Sequence, residues 1–175
     1  MTTRRRVLEA GGGLVAVLVA GPAAATEGAI VDIVLQGKAD GSHVWFDLKG
    51  VHVLPGQTVR WTNRDPGNAH TTTAYHPQMF NRPRRIPAAA TPWDSGYLLP
   101  NETFSCTFSV EGVYDYYCVP HEHAGMVGRI VVGSPPPLES TSSALEAELV
   151  PLPDVALKGF PSVEDILARG IVRGG

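Results

Sequence analysis

Apolar and polar residues alternate with a period of two along part of this chain, which reads as a series of short runs each closed by Gly, Pro, Asn or Asp. In ETFSCTFSV, residues 102–110, Phe104, Cys106 and Phe108 fall on one face and Ser105 and Thr107 on the other, the pattern of a strand with one buried side. AIVDIVL, HVWFDL, QTVRWTN, GVYDYYC and GRIVVG are further runs rich in the Val, Ile, Thr and aromatic residues that suit a pleated surface. Glu111-Gly112, between two of these runs, reads as a hairpin turn. About a hundred residues of short strands with frequent turn signals predict an all-β sandwich.

The alternation lapses in 71–101, where HPQMFNRPRRIPAAATPWDSGYLLP predicts a long Pro-rich loop with room for one short turn of helix. Its basic cluster, Arg82, Arg84 and Arg85, reads either as a solvated face or as a surface that steers an acidic partner. After Gly133 the composition becomes that of a linker, SPPPLESTSSALEAELVPLPD. PSVEDILARGIVRGG then predicts one short helix, with Ser162 as N-cap, Glu164 and Asp165 in the first turn, and an apolar stripe of Val163, Ile166, Leu167 and Ile171. So short a helix is marginal alone in water, so it packs back on the sandwich, docks on a partner, or stays disordered.

At the other end, Arg4, Arg5 and Arg6 precede the apolar run LVAVLVA and then PAAAT, the layout of an export signal with a small-residue cleavage site. The TRRRVL stretch resembles a twin-arginine signal. A retained membrane anchor is the alternative, although the apolar run falls short of the roughly 20 residues that span a bilayer. The expected organisation is an export signal over residues 1–25, a β domain over 26–133, and a linker with C-terminal tail over 134–175.

Composition narrows the function. The 175 residues carry a net charge of −3, which gives no reason to expect nucleic acid or an anionic membrane surface as partner, and membrane contact only during export. Neither a carboxylate pair, a nucleophile–base pair nor a phosphate-binding loop stands out, so neither an enzyme nor a small-molecule substrate is expected.

Chemistry concentrates in YDYYCVPHEHAGMVG, residues 114–128, with Cys118, His121, His123 and Met126 in one short stretch. The two cysteines of an exported chain could form a disulfide, Cys106 to Cys118. A bridge within one tight hairpin closes only a short loop and leaves the His and Met beside Cys118 unexplained. Cys106, between Phe104 and Phe108, fits better as a small buried apolar residue. The alternative is a mononuclear copper site, in which two imidazole nitrogens, a thiolate and a weak axial thioether compromise between the preferences of Cu(I) and Cu(II). Cys118, His121 and Met126 satisfy C-x-x-H-x-x-x-x-M, and His70, in DPGNAHTTT just after QTVRWTN, offers the second imidazole. His76 and His123 are alternative ligands or surface groups, His123 a possible source of pH dependence; His43 and His52 read as polar strand-face residues.

These residues resemble the cupredoxins, the type 1 blue copper proteins, closest to the plastocyanin, pseudoazurin and halocyanin group. The likeness runs from Ile30 to Gly133 and rests on PGQTVRWTN before His70, on WDSG at 93–96, and on YDYYCVPHEHAGMVGRIVV. The resemblance implies a Greek-key β-sandwich with one copper bound by His70, Cys118, His121 and Met126. It further implies that electrons pass through the outer edge of His121. Alternation with Tyr116 and Cys118 turns Tyr117 outward, where it is either a second route, as the resemblance implies, or an ordinary exposed strand aromatic. The partners would be a donor and an acceptor redox protein; copper delivery, or an accessory subunit docked through its tail, are the alternative functions. Plastocyanins usually place Asn after the first histidine and Ser or Thr after the cysteine, tying two loops together. Thr71 and Val119 stand there instead, so that tie is altered.

Overall fold

The structure, a computed structural model, describes residues 28–135 and 149–175. The export signal and most of the linker expected from the sequence lie outside the described residues. Two sheets face one another. The first has the order β2-β1-β4-β6, with β1 (Val31–Gly37), β2 (Val44–Asp47), β4 (Gln57–Asn63) and β6 (Thr103–Phe108). The second has the order β5-β7-β8-β3-β9, with β3 (Gly50–Val53), β5 (Thr73–Ala74), β7 (Gly112–Tyr117), β8 (Val127–Val132) and β9 (Ile171–Val172). Both are mixed, since β1 runs parallel to β4 and β3 parallel to β8 while the other pairs are antiparallel. This is the expected β-sandwich. Three of its strands, β3, β5 and β9, are too short to have shown a period in the sequence.

The first sheet keeps one face wet. Ile33, Leu35, Val59 and Trp61 point into the core while their neighbours on the strand stay partly exposed. Trp61 is the centre of an aromatic cluster with Trp93, Phe104, Phe108 and Tyr116, at centroid distances of 5.5 to 6.2 Å. Edge-on and tilted rings of this kind add to what burial alone contributes.

The second sheet is different, because every residue of β7 and β8 is buried. Tyr114, Tyr116, Ile130 and Val132 face the core. On the opposite face Tyr117 and Val127 pack with Tyr75 and Ala156 in a second apolar cluster. The C-terminal segment supplies that cover, through α1 (Asp154–Gly159) and α2 (Val163–Arg169). Of the three fates open to this segment, packing back on the sandwich is the one realised. Ser162 caps α2 as expected, its Oγ accepting from Asp165 N at 3.0 Å. The expected stripe is corrected in part: Ile166 is fully buried, but Leu167 and Ile171 remain exposed, because the helix ends at Arg169 and Ile171 belongs to β9. Ile166 and Pro161 press so closely on Gly50 that a Cβ there would lie 2.8 Å from each.

Two further expectations are corrected. Glu111-Gly112 does not turn a hairpin, because β6 and β7 belong to opposite sheets and the chain crosses the sandwich between them. The 71–101 segment carries the short strand β5 and isolated bridges, and no helix. Within it, Arg82 and Arg85 are not a free basic face. Arg82 pairs with Glu122, and Arg85 with Asp115 at 2.6 Å.

Candidate metal centre

The site sits at one end of the sandwich, between the connection after β4 and the one from β7 to β8. The first follows β4 and is organised by Asn63, fully buried at the strand's last position. Asn63 Nδ2 donates to the carbonyls of Asn68 and Leu98, both at 2.8 Å, and Asn63 Oδ1 accepts from Asp65 N at 2.9 Å. His70 is then locked to Leu98 by two backbone bonds, 3.1 and 2.7 Å. The second connection is the 3₁₀ turn Val119–Ala124, entered from β7 through Cys118 and left through Gly125. Gly125 takes φ of 77°, a left-handed conformation that turns the chain back toward β8 at little steric cost to glycine. Cys118 N donates to Met126 O at 3.0 Å and Met126 N to His121 O at 3.2 Å, so the ladder of the sheet pins both ends of the turn.

Three donor atoms converge there. His70 Nδ1 lies 3.1 Å from His121 Nδ1, and Cys118 Sγ lies 3.6 Å from the first and 3.3 Å from the second. Ligands about 2.0–2.3 Å from one metal ion in near-tetrahedral array stand roughly 3.3–3.7 Å apart, so the two sulfur–nitrogen distances suit a shared ion and the 3.1 Å imidazole pair is slightly closer. Two imidazoles and a thiolate, joined by a weak axial group such as a thioether, are the donor set of blue-copper sites. Met126 is buried in the same core cluster as Cys118 and is bonded through its backbone to Cys118 and His121.

Two of these donor residues, His70 and Cys118, are held from behind. Asp65, missed in the sequence, accepts from His70 Nε2 at 3.0 Å, which fixes the ring and leaves Nδ1 as the inward lone pair. Burial holds the His70 imidazole below its ordinary pKa in spite of Asp65. Burial works against ionisation of Asp65, but hydrogen bonds from Asn68, Gly67 and His70 win and keep its carboxyl below the usual range. Gly37 makes room for that carboxylate, since a Cβ there would collide with Asp65 Oδ2. The only sequence sign of Asp65 was its place in a turn-rich loop five residues before His70. Because such outer partners typically contribute 10–100-fold to metal affinity, Asp65→Asn is expected to weaken copper binding by about that factor, measured by competition with a calibrated chelator.

Burial pushes the Cys118 thiol up to about 11 in the absence of metal, against the opposing pull of the Thr71 N–H, 3.3 Å from Sγ. The altered inter-loop tie takes a new form. Thr71 Oγ1 accepts from Val119 N at 2.8 Å and bonds Thr73 Oγ1 at 2.9 Å, so one hydroxyl spans both loops. Cys106 and Cys118 are both free, and the disulfide alternative is set aside. Cys106 is half-buried rather than buried.

The remaining histidines stand apart from the converging donors. His76 bridges to Met79, His123 is exposed, His43 stacks on Trp45, and His52 Nε2 lies 2.8 Å from Gly133 O. His121 is half-buried, with Nδ1 turned inward. Tyr117 is a correction. Alternation does turn it away from Cys118, but its ring is only 1% exposed, stacked on Tyr75 at 4.3 Å beneath the C-terminal segment.

Known proteins share this arrangement. The family described as copper binding proteins, plastocyanin/azurin family, matches residues 33–133. A chloroplastic plastocyanin of Oryza sativa subsp. indica is 33% identical over 120 residues, 69% of this chain and 75% of that protein. A plastocyanin of Scenedesmus fuscus is 31% identical over 101 residues, 58% of this chain and 99% of its own. Among solved structures, a Sinorhizobium pseudoazurin is similar with a TM-score of 0.51 at 26% identity, covering 80% of this chain and 95% of the other. With the sandwich, the converging donors and more than half of the sequence in agreement, the chain belongs to the plastocyanin/azurin family of copper binding proteins, the cupredoxins.

Proposed function

We propose that this chain carries single electrons between a donor and an acceptor redox protein outside the cytoplasm, with one copper held by His70, Cys118, His121 and Met126. The observation that carries the proposal is the convergence of His70 Nδ1, Cys118 Sγ and His121 Nδ1 within 4.8 Å of one another. Copper bound there supplies a one-electron couple between Cu(II) and Cu(I). The protein's part is to hold its donors still while the charge changes. His70 is fixed by Asp65 and by its two backbone bonds to Leu98, Cys118 by Met126 O and Thr71, and His121 by its N–H to Cys118 O at 3.0 Å. Donors that do not move on electron transfer keep the reorganisation cost low.

His121 supports a route to solvent, since its inward Nδ1 leaves the far edge of a half-buried ring directed outward. Tyr117 offers no comparable exit, being sealed under the tail. Carrying electrons requires no substrate pocket, so the reading is of a carrier rather than an enzyme. Export over residues 1–25 by a twin-arginine-like signal is part of the proposal, with residues 26–133 as the copper domain and 134–175 as its linker and cover. Among the described residues no helix is long and apolar enough to cross a membrane.

Voltammetry of the copper-loaded protein tests this reading against copper delivery. A reversible one-electron wave with one copper per chain, unchanged over repeated cycles, is the expected outcome. Loss of the metal on reduction would assign the protein to delivery instead.

A further inference from the structure

Glu122 is the residue that neither the ligand set nor the outer partners of the ligands account for. It lies in the ligand turn directly after His121, yet it is 1% exposed, a burial that carboxylates seldom tolerate without partners. Its two oxygens are divided between two donors. Tyr75 OH donates to Oε1 at 2.9 Å, and Arg82 Nη2 donates to Oε2. Burial, with the Glu122 carboxylate, pushes the Tyr75 phenol far above its usual range, so Tyr75 remains a donor.

Arg82 reaches further. Its Nη1 donates to Pro151 O at 3.0 Å and lies 3.4 Å from Val150 O, both on the C-terminal segment, and its guanidinium stands 5.6 Å over the Tyr117 ring. Tyr75 stacks on that same ring. The segment closes on the turn itself at Gly125, where Val155 would lie 3.1 Å from a Cβ. The residue before Cys118 and the residue after His121 are therefore gripped by one buried network whose outer wall is the tail.

We infer that the Arg82–Glu122 ion pair is a positioning device for the copper loop, and that through Arg82 the C-terminal segment is part of the electron-transfer apparatus rather than an appendage. The inference rests on the copper-carrier reading but has a consequence that needs no copper. A buried pair deprived of one member leaves an uncompensated charge, and the local structure that depends on it opens more often. Glu122→Gln keeps the size of the side chain and an oxygen for Tyr75, and removes only the charge that Arg82 requires. Arg82→Met removes the bridge to the tail while keeping the apolar stem.

Amide hydrogen exchange on the metal-free protein reads this directly. In both variants the amides of Cys118, His121, Gly125 and Met126, all bonded within the turn, are expected to exchange at least about tenfold faster, while those of β1 and β4 keep their wild-type rates. In the copper-loaded protein, Glu122→Gln is expected to raise the reduction potential, because the unpaired Arg82 cation favours the less positive reduced centre. It is also expected to change the relative intensity of the charge-transfer bands. Wild-type exchange in the turn, or an equal acceleration in both sheets, would overturn the inference and leave the pair as a general stability element. A wild-type protein that takes up no copper would instead sink the carrier reading, with the exchange result standing.

Discussion

Cys118→Ser is expected to abolish the intense visible absorption of the oxidised, copper-loaded protein, and Cys106→Ser to leave it intact. The absorption expected of a cupredoxin arises from transfer of charge from a thiolate to the metal, and Cys118 Sγ is the sulfur placed beside both imidazoles. Cys106 sits on the edge strand β6 of the other sheet, partly packed against the core. A serine hydroxyl at 118 does not ionise as a thiol does on meeting the metal, so affinity falls together with colour. Absorbance and metal stoichiometry on the two variants suffice as the measurement. A coloured Cys118→Ser protein, or a colourless Cys106→Ser one, would overturn the ligand assignment.

Asp115→Ala is expected to cost about 3–5 kcal/mol of folding stability, the largest loss from any single charged residue described above. Asp115 is fully buried on the outer face of β7. It accepts from Arg129 Nε at 2.7 Å and Nη2 at 3.0 Å, and from Arg85 Nε at 2.7 Å. One carboxylate thus holds two guanidinium groups, and its loss leaves both cations facing each other with little water. The same guanidinium groups lie 5.0 and 5.1 Å over the Phe160 ring, and Arg129 Nη1 donates to Pro161 O at 2.8 Å, so their displacement also loosens the C-terminal cover. The contrast is Asp32, paired with Arg60 at 2.7 Å but about half exposed, where Asp32→Ala is expected to cost no more than about 1 kcal/mol. Urea denaturation of the two variants checks both values; equal losses would mean that burial is not what makes the Asp115 cluster matter.

The strands of the first sheet were legible because one face of that sheet meets water, which writes a period of two into Ile33, Leu35, Val59 and Trp61. The ligand turn was legible for a different reason. Its candidate donors, Cys118, His121 and Met126, are fixed by spacing along a few residues, and spacing survives without knowledge of the tertiary fold. The second sheet carried a signal that was harder to interpret. VYDYY and RIVV are nearly continuous apolar runs, as expected of strands covered on both faces. Such strands need a cover on each side, and the stripe around Ile166 was one candidate for it. Reading Tyr117 as exposed came from applying alternation to a strand that has no wet face.

Asp65 and Glu122 were hidden for another reason. An acidic residue in a turn is ordinary in sequence, and only the three-dimensional approach to His70 or to Tyr75 and Arg82 gives it a role. The crossing between β6 and β7 was concealed in the same way, because Glu111-Gly112 serves a passage between sheets as well as it serves a hairpin.

The ends of the two sheets are not alike. The sheet that contains β7 and β8 stops on both sides in strands of only two residues, β5 and β9. A rim that short gives a second molecule almost nothing to zip onto. The opposite sheet ends at β6, six residues long with Thr103, Ser105 and Thr107 open to water. Crowded copies are therefore expected to pair first along β6 rather than along β5 or β9. A lysine placed at one of those three outward positions is the natural guard against it.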